Sequence, residues 1–319
     1  MYPSYLNAHT KGNLEKVSNM AYAMLELCCI CPRQCRVNRL KGQKGFCKTG
    51  IKAKVYSFMP HHGEEPPISG IHGSGAIFFS CCNMACSYCQ NYEFSQKGEG
   101  REVSAQELAG YMIELQNAGC HNINLVTPTH VMPQILAALK IAILQGLRIP
   151  LVYNTSSYEL PGSIELLDGI IDIYLADLRY ADSELSENYS CAPDYPTYSQ
   201  KATKEMQRQV GVAKIDKEGI IKKGLIIRHL VLPHNIGNTE KIMEFISSGL
   251  TSETYLSLMS QYVPCYKAPA IEEISRRITQ EEYAQAKVSM QAHGLHNGWV
   301  QEDSGLERFA GTNIKRTII

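Results

Sequence analysis

The stretch Cys82-Asn-Met-Ala-Cys86-Ser-Tyr88-Cys89 decides how the rest of this chain is read. Its three cysteines stand at C-x3-C-x2-C spacing, so one short loop can bring three thiolates onto three irons of a cubane iron–sulfur cluster. Such clusters normally take four cysteines. A local set of three leaves one iron open to something other than protein. Structural zinc sites prefer paired C-x2-C knuckles, and the triplet fits that pattern poorly.

The whole chain narrows the setting. It has 319 residues, 44% of them apolar, with 31 basic and 31 acidic side chains and a pI near 7.1. That is enough apolar material for a large single core, and no basic field points to nucleic acid or to a membrane surface. The N-terminus shows no apolar signal core. The most apolar stretch, 137–147, carries Lys140 and Gln145 and is too short to span a bilayer. A cytoplasmic protein is the expectation. Of the 12 cysteines, nine precede Gln90 and fall in two groups, a usage that favours metal binding over disulfides in a long chain. Cys120, Cys191 and Cys265 are scattered and read as small buried residues.

From Ala76 onward, short apolar runs alternate with amphipathic stretches, the pattern of a parallel sheet wrapped by helices. Strands are expected at 76–80, 122–126, 149–153, 169–175, 225–231 and 255–259. Helices are expected at 104–118, opened by a Ser104-Ala-Gln-Glu107 capping box, and at 133–145, 164–167, 198–210, 239–248 and 279–293. Six such units predict an α/β fold, a partial (β/α)6 TIM-type barrel. A small N-terminal cysteine-rich lobe over 1–60 would precede a barrel and C-terminal extension over 61–319. Active sites on these sheets lie at the carboxyl ends of the strands. There the chain places the cysteine loop, Thr127-Pro-Thr129-His130, Asn154-Thr155-Ser156, Asp177 with Arg179, and Pro233-His234-Asn235.

The upstream cysteines Cys28, Cys31, Cys35 and Cys47 form a set of four with Cys29 as a spare. They suit zinc or a second iron–sulfur cluster, and either would staple a lobe with little core of its own. His61-His62-Gly-Glu64-Glu65-Pro-Pro reads first as an exposed turn, with His62 and Glu64 as alternative metal or proton-transfer groups. The tyrosine-rich stretch 189–198 reads as a long loop that shapes a substrate pocket.

The cysteine loop resembles the signature of the radical S-adenosylmethionine (SAM) enzymes. With His62-Gly-Glu-Glu-Pro-Pro-Ile-Ser-Gly70, Asn124-Leu-Val-Thr-Pro-Thr-His130, Tyr153-Asn-Thr-Ser156 and Ile173-Tyr-Leu-Ala-Asp-Leu-Arg-Tyr180, the chain is similar to the pyruvate formate-lyase activating enzyme-like branch. The resemblance implies a [4Fe-4S] cluster on Cys82, Cys86 and Cys89, with SAM chelating the open iron and Tyr88 packing on its adenine. It implies reductive cleavage of SAM to a 5′-deoxyadenosyl radical that abstracts a hydrogen atom, as an oxidoreductase does. It also implies a low-potential donor such as flavodoxin or ferredoxin, and a glycyl-radical protein as partner. Two departures stand out. The Gly-Gly-Glu usual after the second strand is replaced by Thr127-Pro-Thr129-His130, so the SAM amino group needs another anchor, with Thr127, Thr129 or His130 as candidates. Asp-x-Lys becomes Asp177-Leu-Arg179, and an arginine there can hold a carboxylate in two-point fashion. Asn154, Thr155 and Ser156 are candidates for the ribose or carboxylate, and Arg228 is a further one. A small molecule or a peptide is the alternative substrate, and a non-catalytic electron carrier the alternative function.

Overall fold

The structure, a computed structural model, describes residues 2–301. Part of the C-terminal extension expected from the sequence therefore lies outside the described residues. Ten strands form one sheet system: β1 (Ala53–His61), β2 (Ser74–Phe79), β3 (Arg101–Val103), β4 (Ile123–Val126), β5 (Leu151–Thr155), β6 (Ile173–Asp177), β7 (Lys214–Ile215), β8 (Ile221–Leu230), β9 (Tyr255–Met259) and β10 (Gly298–Val300). The main sheet runs β3-β1-β2-β4-β5-β6-β8-β9-β10, parallel from β2 to β10. From β2 to β10 spatial order follows chain order, as in a barrel, without the reversal of a doubly wound sheet. No pairing joins β10 to β3 among the described residues, so the barrel is partial.

All six expected parallel strands are present, and their short Ile/Leu/Val/Ala runs are buried on both faces, as parallel strands require. Three additions escaped the sequence reading. β1 runs antiparallel to β2 and carries β3 on its other edge. β7 is a two-residue arm on β8. β10 adds a short seventh parallel strand. The expected helices appear as Ala105–Asn117, Met132–Leu144, Pro161–Glu165, Tyr195–Val210, Thr239–Glu244 and Gln280–Ala292. Ser104 and Glu107 form the reciprocal capping box that their spacing predicts.

Side chains alternate across the sheet with period two. Ile77, Leu125, Tyr153, Tyr174 and Leu225 face outward and join the large core under the helices, which Tyr5, Leu14, Leu25 and Ile30 of the N-terminal segment also share. Val152, Ile173, Leu175 and Ile226 face the barrel interior with Ile68 as a plug. Ala76, Phe78 and Val126 line the interior nearer its open side. One step further along the inward register come Asn154, Asp177 and Arg228, so the barrel changes from apolar to charged at its carboxyl end.

Among the described residues no helix is long and apolar enough to cross a membrane. Cys120 is buried as expected, but Cys191 is exposed at the end of helix Ser183–Ser190, in the left-handed conformation that ends it.

Gly224 shows how closely the connections fit. Its φ is +136°, and a Cβ there would sit 2.1 Å from the Ala213 backbone. Gly224→Ala is expected to lower stability by about 2 kcal/mol or more, measured by urea unfolding; a change within about 0.5 kcal/mol would show that segment 211–213 yields freely.

Candidate active site

The chain leaves β2 through Cys81, whose φ of +72° turns it into the cysteine loop. Thr127 after β4 and Ser157 after β5 take the same left-handed conformation. Strain of this kind in residues other than glycine gathers where a site over-determines the backbone. The loop itself is held from behind. Ala85 and Ser87 donate backbone hydrogen bonds to Ser190 and Tyr189, Lys267 and Ala268 donate to the Ser87 carbonyl, and Asn83 Nδ2 donates to the Tyr158 carbonyl at 2.7 Å.

All three sulfurs have a polar neighbour. The Met84 N–H donates to Cys82 Sγ at 3.4 Å, Ser190 Oγ donates to Cys86 Sγ at 3.0 Å, and Cys89 Sγ lies 3.1 Å from Ser95 Oγ. Arg179 Nη1 adds a charged donor 3.5 Å from Cys86 Sγ. Burial, reinforced by Cys86, pushes the Cys82 thiol well up and Cys89 to about 11. Burial thus favours the thiol form of Cys82 and Cys89, and binding metal would release their protons. The surrounding donors are what thiolate ligands need once formed, so the residues present fit an iron–sulfur cluster.

Beside this loop lies an open cavity of about 260 Å3, lined by Glu64, Tyr88, Cys89, Asn154, Asp177, Arg179 and Arg228 among others. Arg228 is its keystone. Its Nε donates to Asp177 at 2.9 Å, Nη1 to Glu64 at 3.0 Å and Nη2 to Asn154 at 2.7 Å. Arg179 Nη2 donates to the other Asp177 oxygen at 2.6 Å. Glu64 also accepts from Asn124 at 2.9 Å. Burial alone would raise the Asp177 carboxyl, but Arg228 and Arg179 outweigh it and hold it below its ordinary value. Glu65 goes the other way: burial and neighbouring Glu64 raise it against the pull of Arg228. Arg179 Nε and Asn124 Oδ1 are buried without a hydrogen-bond partner among the described residues.

The sequence candidates thus divide. Tyr88, Asn154, Asp177, Arg179 and Arg228 come together around one cavity with the cysteine loop. The Tyr88 ring is buried, edge-on to Tyr262, with its hydroxyl accepting from Tyr180 at 2.7 Å. Thr129 and Thr155 instead donate to the buried Glu159, each at 2.6 Å, outside the cavity. His130 points to the Ser80 carbonyl and faces the N-terminal cysteines. The Thr127 N–H closes onto the Asn154 carbonyl, and the Ser156 carbonyl accepts from Tyr195. None of Thr127, Thr129, Thr155, His130 and Ser156 lines the cavity.

Two readings need correction. Glu64 and Glu65 are 9% and 3% exposed, so the His-His-Gly-Glu-Glu turn is not a solvated one; Glu64 lines the cavity, held there by Arg228. Stretch 189–198 is not a long loop either. It joins helices Ser183–Ser190 and Tyr195–Val210 and braces the cysteine loop.

Residues 76–246 match the Radical SAM superfamily. The chain belongs to this superfamily. It is 33% identical over 291 residues to the uncharacterized protein MJ0674 of Methanocaldococcus jannaschii, a match covering 87% of this chain and 78% of that one. Among solved structures, a radical SAM methyltransferase from Sphaerobacter thermophilus is similar at 17% identity and a TM-score of 0.49, over 73% of this chain and 67% of the other. Methylornithine synthase (PylB) is similar at 12% identity and a TM-score of 0.48, over 96% and 80%. Membership implies a [4Fe-4S] cluster and SAM for this radical SAM protein, together with a reductant; it does not single out the activating-enzyme branch.

Two predictions follow from the geometry. Replacing Arg228 by methionine leaves Glu64 and Asp177 facing each other without their shared cation, and should cost about 3 kcal/mol in urea unfolding; a loss below about 1 kcal/mol would mean that solvent already carries the charge. Burial raises the Glu159 carboxyl to about 7 despite its threonine donors. A raised folded value favours the protonated fold, and that contribution is lost as pH climbs from about 4.5 to about 7. Glu159→Gln should therefore gain in Tm relative to the parent between about pH 5 and about pH 8; a constant difference would contradict the raised value.

Proposed function

We propose that this radical SAM enzyme binds SAM in the cavity beside Cys82, Cys86 and Cys89 and uses its reductive cleavage to abstract hydrogen from a segment of a partner protein. The observation that carries the reading is the joining of three donor-supplied thiols and an under-used arginine at the mouth of one charged strand-end cavity. A cluster bound there would supply the single electron that splits a carbon–sulfur bond of SAM into methionine and a 5′-deoxyadenosyl radical.

The chain's own residues bind and orient. Arg179 keeps one arm on Asp177 and presents an unpartnered Nε, which suits the methionine carboxylate. Glu64, held by Arg228 and Asn124, takes the amino group that a Gly-Gly-Glu would otherwise hold. Asn154 is placed for ribose hydroxyls, and Tyr88 for the adenine. The hydrogen bond to Tyr180 fixes the Tyr88 ring, which makes it a wall and not a mobile lid.

The size of the cavity bears on the substrate. About 260 Å3 falls just below the usual range for ligand sites, so SAM, an adenosine joined to methionine, would fill it. The reacting C–H bond must then arrive from the open side, past His61, Gln90, Asn91 and Gln261. An extended protein segment can do so, and a glycyl-radical protein is the partner class favoured by the family resemblance. A flavodoxin- or ferredoxin-type protein would be the reductant.

The test is anaerobic. After reconstitution with iron and sulfide, dithionite and SAM should yield 5′-deoxyadenosine, and the Cys82/Cys86/Cys89→Ala variant should yield none above background. Equal product from both would sink the proposal. Arg179→Lys should raise the KM for SAM about tenfold, since a lysine ammonium cannot hold Asp177 and the SAM carboxylate in the fixed geometry of a guanidinium; an unchanged KM would remove Arg179 from SAM binding.

A further inference from the structure

His130 stands apart from every role considered so far. It is 1% exposed, and its Nε2 lies 2.8 Å from the Ser80 carbonyl. A carbonyl only accepts, so Nε2 carries the proton and Nδ1 bears a lone pair. Nδ1 is buried and has no partner among the described residues. The imidazole forms part of the wall of a small recess, and the other walls include Cys28, Cys31, Cys35 and Cys47. An imidazole tied through one nitrogen to a backbone carbonyl, with its other nitrogen buried and unpartnered in a recess that thiols also line, has the features of a metal-ligating histidine.

We propose that the N-terminal lobe holds a second, thiolate-bound metal centre, to which His130 contributes Nδ1 beside cysteines of the Cys28/Cys31/Cys35/Cys47 set. The centre is either a zinc ion or an iron–sulfur cluster; both use the same donors. The proposal does not depend on the SAM reading. Cys28 and Cys31 are 8% and 9% exposed, and Arg39, 1% exposed, lies with Nη1 3.9 Å from Cys28 Sγ and 2.9 Å from the His130 carbonyl. This buried cation offsets the negative charge that clustered thiolates bring. The Phe46 N–H lies 3.4 Å from Cys35 Sγ and donates to it. Among the described residues no three such side chains converge on one ion position in the metal-free chain. Closing the sulfurs onto a metal therefore requires the cysteine side chains to turn from the positions they hold here.

The centre would also brace the catalytic loop. His130 ties the lobe to Ser80, two residues before Cys82. Arg33, between Cys31 and Cys35, stacks over Phe46 at 3.8 Å and donates to the Asn83 carbonyl at 2.9 Å, one residue after Cys82. Two hydrogen bonds therefore bracket the first cluster ligand from the lobe side.

The experiment uses the full chain carrying Cys82/Cys86/Cys89→Ala, which removes the catalytic cluster. Purified without oxygen, it should retain either about one zinc, or roughly four irons with matching sulfide. A variant that folds, by circular dichroism, and holds no metal overturns the proposal. His130→Gln in the same background keeps a donor for Ser80 but loses the imidazole Nδ1 lone pair. It should release metal to a chelator at least about tenfold faster. Unchanged release, with an unchanged metal spectrum, would overturn the part assigned to His130. Should His130→Gln fail to fold, Cys35→Ser at the half-exposed rim supplies the second reading: it too should speed release, and metal held as tightly as before would count against the site.

Discussion

One guanidinium organises the carboxyl end of this barrel. Arg228 joins three segments distant in sequence: Glu64 before β2, Asn154 at β5 and Asp177 at β6. A buried arginine between acids contributes little net stability when it forms, because desolvation offsets much of the attraction. Its value lies in position. Once Asp177 is held on one side by Arg228, its other oxygen is free to orient Arg179. Arg179 in turn reaches toward Cys86. The geometry at the cysteine loop is thus the far end of a chain of charges that begins at the barrel floor.

That chain explains why the site is polar in so restricted a place. On β5, β6 and β8 the inward-facing positions are apolar until the strand ends, where Asn154, Asp177 and Arg228 follow Val152, Leu175 and Ile226. An apolar interior below and a charged rim above leave only the open side for a ligand. The cysteine loop and the segment from helix Ser183–Ser190 close one flank of that rim.

Much of this was legible in the chain beforehand. The cysteine spacing, the six strands and the capping box at Ser104 each rest on local rules, and local rules survive folding. The failures have physical reasons too. Asn154 and Thr155 looked equivalent as neighbours at a strand end, yet strand alternation sends Asn154 inward and Thr155 outward to Glu159. Period-two bookkeeping, carried to the last residue of β5, would have separated them. Glu64 and Glu65 read as a solvated doublet because their neutralising partner is more than 160 residues away. No local pattern announces such a pair. β1 was missed since its alternation of apolar and polar residues precedes the regular β/α rhythm and runs against it.

His130 is the instructive case between these. Its place after β4 suggested the SAM amino group, but the turn through Thr127 and Pro128 swings it behind the sheet, toward the upstream cysteines. The cysteine loop is therefore supported from two sides, by Ser190 and Tyr189 on one and by Arg33 of the cysteine-rich lobe and His130 on the other. The proposed arrangement has Arg179, Glu64 and Asn154 hold SAM beside the cysteine loop, where its methionine carboxylate would meet the open iron of a cluster. It is tested most directly by electron–nuclear double resonance on the reduced cluster with SAM labelled with oxygen-17 in its methionine carboxylate. The account predicts a clear coupling to the labelled oxygen and an altered electron paramagnetic resonance spectrum on adding SAM. An unchanged spectrum with no coupling, in protein shown to hold its cluster, would contradict it.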